Sequence, residues 1–172
     1  MINFEDITPE NWEKWKEPVL RSELIFPESL RSTEEEFRVT LDTPSNIAKI
    51  IRLDGRYIGN AFGCGAVHFD FYRQSRQAVC AEEIHINNIV IEPPYQGHGH
   101  GTRLLQEFMG EARRKGYKKL IGFFRPNHSL RLVRKLDCVE KSVHPDWFGT
   151  GEDYVFCEID LSVKYFKKLK AV

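Results

Sequence analysis

Hydrophobic and polar positions alternate with a period of two along residues 2–7, which predicts a short opening strand. Thr8, Pro9 and Glu10 then read as an N-cap, a first-turn proline and an early acid, opening a helix that carries Trp12 and Trp15. Ser32 with Glu35 three residues later makes a capping box, so a second helix carrying Phe37 is expected from there. Residues 47–53 turn strand-like, Asp54-Gly55 supplies a tight hairpin turn, and the return strand runs from Tyr57 to about Tyr72. Gly59, Gly63 and Gly65 weaken that strand and predict a bulge or a close backbone approach. Residues 73–77 are a polar loop.

A long strand is expected over 79–91, ended by Glu92-Pro93-Pro94 because proline donates no ladder hydrogen bond. Beyond the glycines at 97, 99 and 101, Leu104, Leu105, Phe108, Met109 and Ala112 fall on one helical face. Arg113, Arg114, Lys115 and Gly116 give that helix a cationic last turn and a terminating glycine. A short buried strand at 119–124, a short helix at 129–136, strands at 138–143 and 154–161, and a basic, frayed or helical tail at 164–172 complete the chain. With no internal repeat or linker, one mixed α/β domain spanning 1–172 is expected.

A chain of 172 residues buries one core comfortably, which agrees with that count. Lys plus Arg and Asp plus Glu are 25 each, so no bulk field exists to hold a nucleic acid or an anionic membrane, and neither partner is expected. The first residues carry acids where a signal peptide carries bases, and no apolar run is long enough to span a bilayer; a cytoplasmic location is expected. Cys64, Cys80, Cys138 and Cys157 form no C-x-x-C pair and read as free, mostly buried thiols.

The order strand, proline break, PYQGHGHG, helix places backbone N–H groups at the positive end of a helix dipole, an arrangement that receives a phosphate. Glycine at 97, 99 and 101 keeps side chains out of the way and tolerates positive φ. A dinucleotide fingerprint would need G-x-G-x-x-G and an acid about twenty residues on, and a P-loop would need Gly-Lys-Ser/Thr. Neither pattern is present.

Gln96-Gly97-His98-Gly99-His100-Gly101 resembles the Q/R-x-x-G-x-G/A signature of the GNAT superfamily of N-acetyltransferases, and the preceding INNIVIEPPY resembles that family's fourth strand. The likeness is good from about Val79 to Cys138 and rests elsewhere on the order of elements. It implies a mixed, mostly antiparallel central sheet of six to seven strands flanked by about four helices, in a monomer or homodimer. It implies acetyl-CoA as cosubstrate, with its pantetheine arm along the backbone of Ile89, Val90 and Ile91, its diphosphate on the amides of Gly97, His98, Gly99, His100, Gly101 and Thr102 beside Gln96, and a further contact from Asn127. The acetyl group would pass by direct attack to a primary amine of a small molecule or protein.

Alternation puts Ile84, Ile86 and Val90 on one face of the long strand and Glu83, His85 and Asn87 on the other, which is polar enough to face a wet cleft. An ammonium with a pKa of about 10.4 cannot attack a thioester until a base removes a proton. His85, whose ordinary pKa is about 6.5, can do so at a position where some members of the family carry a histidine and others a glutamate. Glu83 is the second candidate, as base or as the group that orients His85. The plainer alternatives are a hydrogen-bonded strand histidine and a solvated acid. His98 and His100 form H-x-H without an identifiable third ligand, so no metal is assigned.

The family's usual acid is a tyrosine on the helix after strand five, and there this sequence carries Val133. Water, Tyr95, Ser129 or Tyr154 would then protonate the leaving thiolate. The acceptor would meet Trp12, Trp15, Phe26 and the loop VHPDWFGTGEDY, where Asp146 and Glu152 can attract a cation and Trp147 and Phe148 can wall it. Val133 keeps open a second reading, a catalytically silent acyl-CoA-binding module of the same fold. An unrelated nucleotide-binding domain is the third.

Overall fold

The computed structural model describes residues 1–69 and 78–162. The polar loop at 73–77 and the basic tail at 164–172 lie outside them, while the return strand expected to run to about Tyr72 ends at Gly65, where a 3-10 turn, Ala66–His68, takes over.

Seven strands, β1 (Ile2–Asp6), β2 (Ile47–Leu53), β3 (Arg56–Gly65), β4 (Glu83–Ile91), β5 (Lys119–Phe124), β6 (Val139–His144) and β7 (Tyr154–Asp160), form one sheet in the order β1-β2-β3-β4-β5-β7-β6. Every neighbouring pair is antiparallel except β4 and β5. Four α-helices occur among the described residues: α1 (Trp12–Ser22), α2 (Glu34–Asp42), α3 (His100–Arg114) and α4 (His128–Arg134). The mixed, mostly antiparallel sheet expected from the sequence is therefore present, with seven strands.

The helices cover both faces of the sheet. Leu104, Leu105, Phe108, Met109 and Ala112 of α3, with Leu130 and Val133 of α4, pack on one face against Ile51, Ile84 and Ile86. Trp12, Trp15 and Val19 of α1 and Phe37 and Leu41 of α2 pack on the other against Ala48, Ile50 and Phe62. The period-3.6 stripe on α3 and the period-2 alternation on β2 are the sequence causes of these two cores. Val133 is wholly buried in the first of them, so it serves packing.

Four further local expectations need correction. The capping box uses Thr33 and Glu36, one residue later than Ser32 and Glu35: Glu36 N–H donates to Thr33 Oγ1 and Thr33 N–H to Glu36 Oε2. Strand β4 starts at Glu83 rather than 79 because a turn closes just before it, with Glu83 N–H donating to Cys80 O, and Cys80 is exposed. The first residues after Thr8 form a 3-10 turn, Pro9–Asn11, and the α-helix follows at Trp12.

The fourth correction bears on the site. Phe62 pairs with Asn88 and Gly63 with Ile86, which leaves Asn87 as the extra residue of a β-bulge. A one-residue insertion exchanges the faces beyond it. Val90 therefore lies opposite Asn60, away from Ile84 and Ile86, while Ile89 and Ile91 join the core under α3. The glycines of β3 make this possible. A Cβ on Gly59 would fall 2.2 Å from Val90 O, and one on Gly63 2.3 Å from His85 O, so both strands approach more closely than any side chain permits.

Candidate functional site

β4 and β5 pair only at Glu83–His85 with Lys119–Ile121. Past that point the two parallel strands diverge, and the edge of β4 that carries Ile89, Val90 and Ile91 faces β5 without a ladder. A cavity of about 530 Å³ occupies the mouth of this opening. It is lined by Asn87, Asn88 and Ile89 of β4, Phe123 and Phe124 of β5, Arg125 and Ser129 beyond it, and the aromatic residues Phe26, Phe69, Trp147, Phe148 and Tyr154.

At the far end of β4 the Pro93–Tyr95 turn leads to the glycine loop and α3. Gly97 (φ +80°) and Gly99 (φ +79°) adopt the left-handed conformation, and a Cβ at either would meet nothing within 4 Å. The first bonded amide at this helix start is Arg103 N–H, which donates to Gly99 O at 3.1 Å. Amides from Gly97 to Thr102 have no acceptor among the described residues, which is the unsatisfied N-terminal row that binds anions. Gly101 differs from the expectation: it lies inside the first turn without positive φ, and a Cβ there would rest in ordinary contact with Ile91 at 3.6 Å and Leu132 at 3.7 Å. Gln96 turns back and donates to Ile91 O at 2.8 Å, tying the loop to the end of β4. His98 lies with its ring centroid 6.1 Å from that of His100, whose buried Nδ1 has no partner among the described residues and whose pKa is lowered by burial. Asn127 caps α4, its Oδ1 accepting from Ser129 N–H at 2.9 Å.

His85 is buried at 4 % exposure, stacked on Phe69 with ring centroids 4.0 Å apart and 3.2 Å from Asn87 Oδ1. Burial lowers its pKa to about 4, against a smaller opposing effect of Asn87. It is neutral at pH 7, as expected, but far less basic than a free imidazole, because burial penalises its charged form. Glu83 does not orient it. Its carboxylate faces Lys119 Nζ at 3.0 Å and accepts Cys80 N–H at 3.1 Å, and it is not part of the cavity wall.

The acceptor residues also divide. Phe26, Trp147 and Phe148 line the cavity, whereas Trp12 and Trp15 are buried in the core beneath α2 and do not. Glu152 is held in a two-point ion pair with Arg125, Nε to Oε2 and Nη2 to Oε1 both at 2.6 Å, which lowers its pKa and neutralises it as a cation attractor. Asp146 accepts Gly151 N–H and shapes the loop. Of the three candidate acids, Ser129 and Tyr154 reach the cavity and Tyr95 does not.

Among the wall residues that escaped the sequence reading, two are buried and polar. Glu23, at the end of α1, is 3 % exposed, and burial pushes its pKa up to about 7 in spite of hydrogen bonds from Ser32 N–H and Asn88. Asn88, displaced onto the cavity face by the bulge, is the other. Asn87 and Asn88 were both visible as polar residues; that both reach the cavity depends on the bulge.

The chain matches the family model of the acetyltransferase (GNAT) family over residues 5–136. Among solved structures, the ribosomal-protein-S18-alanine N-acetyltransferase from Escherichia coli superposes with a TM-score of 0.72 at 16% identity, over 97% of this chain and 98% of that one. A second, yncA from Salmonella typhimurium solved with its cofactor acetyl-CoA, gives 0.70 at 17% identity over 94% of each chain. Ard1 from Thermoplasma volcanium gives 0.70 at 13% identity, over 92% of this chain and 97% of that one. No curated protein sequence matches the chain. No described helix is long and apolar enough to cross a membrane.

Proposed function

Because the chain belongs to the acetyltransferase (GNAT) family, we propose that it moves an acetyl group from acetyl-CoA to a primary amine of a small molecule or protein. The observation that carries this reading is the continuity between an amide-lined glycine turn, an unladdered strand edge and a cavity with aromatic residues in its wall. Each suits one part of the coenzyme. The row of free N–H groups at Gly97–Thr102 matches a diphosphate, with Gly97 and Gly99 leaving room for it. The open edge at Ile89, Val90 and Ile91 matches the amides of a pantetheine arm, which would add to it as a short strand. His98 and Gln96 flank the loop, and Asn127 stands at the start of α4 on the other side of the opening.

Direct attack needs the thioester carbonyl and the amine to meet in one oriented site, for which the cavity has the room. The thiolate then takes a proton. Tyr154 Oη is the group read here as its donor: it lines the cavity, is buried, has no partner among the described residues, and burial raises its pKa so that it stays protonated. It would replace the tyrosine that Val133 displaces. Tyr154→Phe is expected to lower turnover about 100-fold with the coenzyme Kd unchanged, the low end for a single proton-transfer group. Equal turnover by the variant would remove Tyr154 from the reaction.

Isothermal calorimetry with coenzyme A, followed by thiol release from acetyl-CoA over a panel of amines and amino-terminal peptides, tests the reading. Tight coenzyme binding with turnover of at least one amine is the expected result; an absence of coenzyme binding overturns it.

A further inference from the structure

A buried chain of hydrogen bonds runs from the centre of the sheet to the cavity wall. Asn60 of β3 is fully buried, Asn88 is 8 % exposed, and Ser22 and Glu23 at the end of α1 are 6 % and 3 % exposed. Tyr57 Oη donates to Asn60 Oδ1, and Ser22 Oγ lies 2.9 Å from the same oxygen. With its oxygen so occupied, Asn60 must present Nδ2 to Asn88 Oδ1, at 3.1 Å. Asn88 must then present Nδ2 to Glu23 Oε1, at 2.9 Å. Ser32 N–H donates to Glu23 Oε2 at 2.8 Å.

Each amide in the chain is thus oriented by its neighbour, and the chain ends with the Asn88 Nδ2 donor on one carboxylate. Each oxygen of Glu23 holds one donor and keeps a second lone pair for the cavity that it lines. A carboxylate so buried, without a cationic side chain bonded to it among the described residues, is a costly arrangement that four side chains serve to position. Part of the remaining wall is aromatic, with Phe123 and Trp147 stacked at 4.2 Å and Phe26 also lining it, while Arg31, Glu35, Glu36, His85 and Arg125 are among its other charged or titratable members.

Granting acyl transfer as read above, on which this inference rests, we propose that Glu23 is the general base. Its carboxylate receives the ammonium of a primary amine whose apolar body lies against Phe123 and Trp147, and removes one proton before attack. The neutral nitrogen then forms the N–C bond to the thioester carbonyl carbon, and the C–S bond breaks with its electron pair on sulfur. Tyr154 gives its proton to the sulfur, and the second proton lost by nitrogen as it becomes an amide restores the phenol. Glu23 returns the first proton to water.

Glu23 is tuned for this task. Its desolvated carboxyl titrates near neutrality, where a base is both ionised and strong enough to take a proton. The titratable groups that face it are Glu36 of α2, whose like charge raises it further, and Tyr57 of β3, kept protonated by burial, with the Arg21–Glu92 pair beyond Tyr57. His85, on the same strand as Asn88, stays uncharged across this range.

Two amine probes separate a base from a structural acid: phenethylamine, an ammonium at neutral pH, and hydroxylamine, already neutral there. In the full chain with acetyl-CoA, Glu23→Gln is expected to lower kcat/KM for phenethylamine by about 100-fold, a typical loss for a general base. Hydroxylamine should be acetylated at a rate within about threefold of wild type, and the coenzyme Kd should not move. For the wild type, kcat/KM for phenethylamine should rise with pH and level off near 7, a limb absent with hydroxylamine. That comparison needs no variant and stands even if Glu23→Gln fails to fold. Equal losses on both amines, a phenethylamine profile without the limb, or acetylation of hydroxylamine alone by the wild type each overturns Glu23 as base. Loss of coenzyme binding itself would instead overturn the acyl-transfer reading.

Discussion

Gly99→Val is expected to abolish measurable coenzyme A binding while leaving the fold in place, with the affinity falling by at least about 100-fold. Two causes act together. At φ +79° a β-branched residue is strained by roughly 1–2 kcal/mol, and relief of that strain turns the peptide plane away from the diphosphate. The valine methyl groups also enter the space that the phosphate oxygens need, since nothing else stands within 4 Å of that Cβ. Losing two charge-assisted hydrogen bonds at about 1.5–3 kcal/mol each is already a hundredfold or more. The same openness means that no core contact breaks, so thermal melting should fall by only a few degrees. Gly101→Ala is the matched control. Its Cβ fits against Ile91 and Leu132 at ordinary distances, and alanine favours the first turn of α3. Calorimetry should return an affinity within about threefold of wild type for this variant. Equal, undiminished binding by Gly99→Val would remove the glycine turn from coenzyme recognition.

The contrast between these two glycines marks how far the sequence carries. G-x-G-x-G spacing located the anion turn, because the requirement is local: a strand end, a proline, and glycines before an amphipathic helix. The spacing could not say that only the first two glycines are left-handed, since that depends on where α3 begins, and the helix starts at His100, two residues before Thr102. Strand β2 and the Asp54-Gly55 hairpin were legible for the same local reason; both turn residues have positive φ, which suits a two-residue hairpin. The bulge at Asn87 was not legible. It arises from how β3 and β4 meet across Gly63, and it reverses the facing of everything after it, Val90 included. Glu23 was hidden for a stronger reason: its partners Ser32, Asn88 and, through Asn88, Asn60 come from separate elements, and an acid ending a surface helix looks like any other until those elements converge.

Charge balance misled in a comparable way. Glu83 and Glu152 looked available as acids of the site, yet each meets a cation, Lys119 and Arg125, from a different strand or loop. Pairing across the sheet leaves Glu23 as the buried acid of the cavity wall whose bonded partners are an amide side chain and a backbone N–H, and this is the environment that raises a carboxyl pKa instead of lowering it.

Folding stability should report the state of His85 directly. Its pKa is about 4 in the folded chain against an ordinary value of 6.5, so between these values the unfolded chain binds a proton that the folded one refuses. Stability from this group is therefore complete above pH 6.5 and is lost as pH falls through 4, by roughly 3 kcal/mol in all. Glu23 works in the opposite sense: its pKa is raised from 4.5 to about 7, so its contribution is complete below 4.5 and is lost as pH rises through 7. The two slopes oppose each other between pH 4.5 and 6.5, which is why the difference between proteins, and not the wild-type curve, is the quantity to measure. Urea unfolding of wild type and His85→Gln from pH 7.5 to 4 should show the variant gaining on wild type by about 3 kcal/mol as the pH falls, with no such trend above 6.5. A difference that stays constant across the range would mean that His85 titrates as a free imidazole. In that event its side chain meets water in the cavity, and it becomes available as a base beside Glu23.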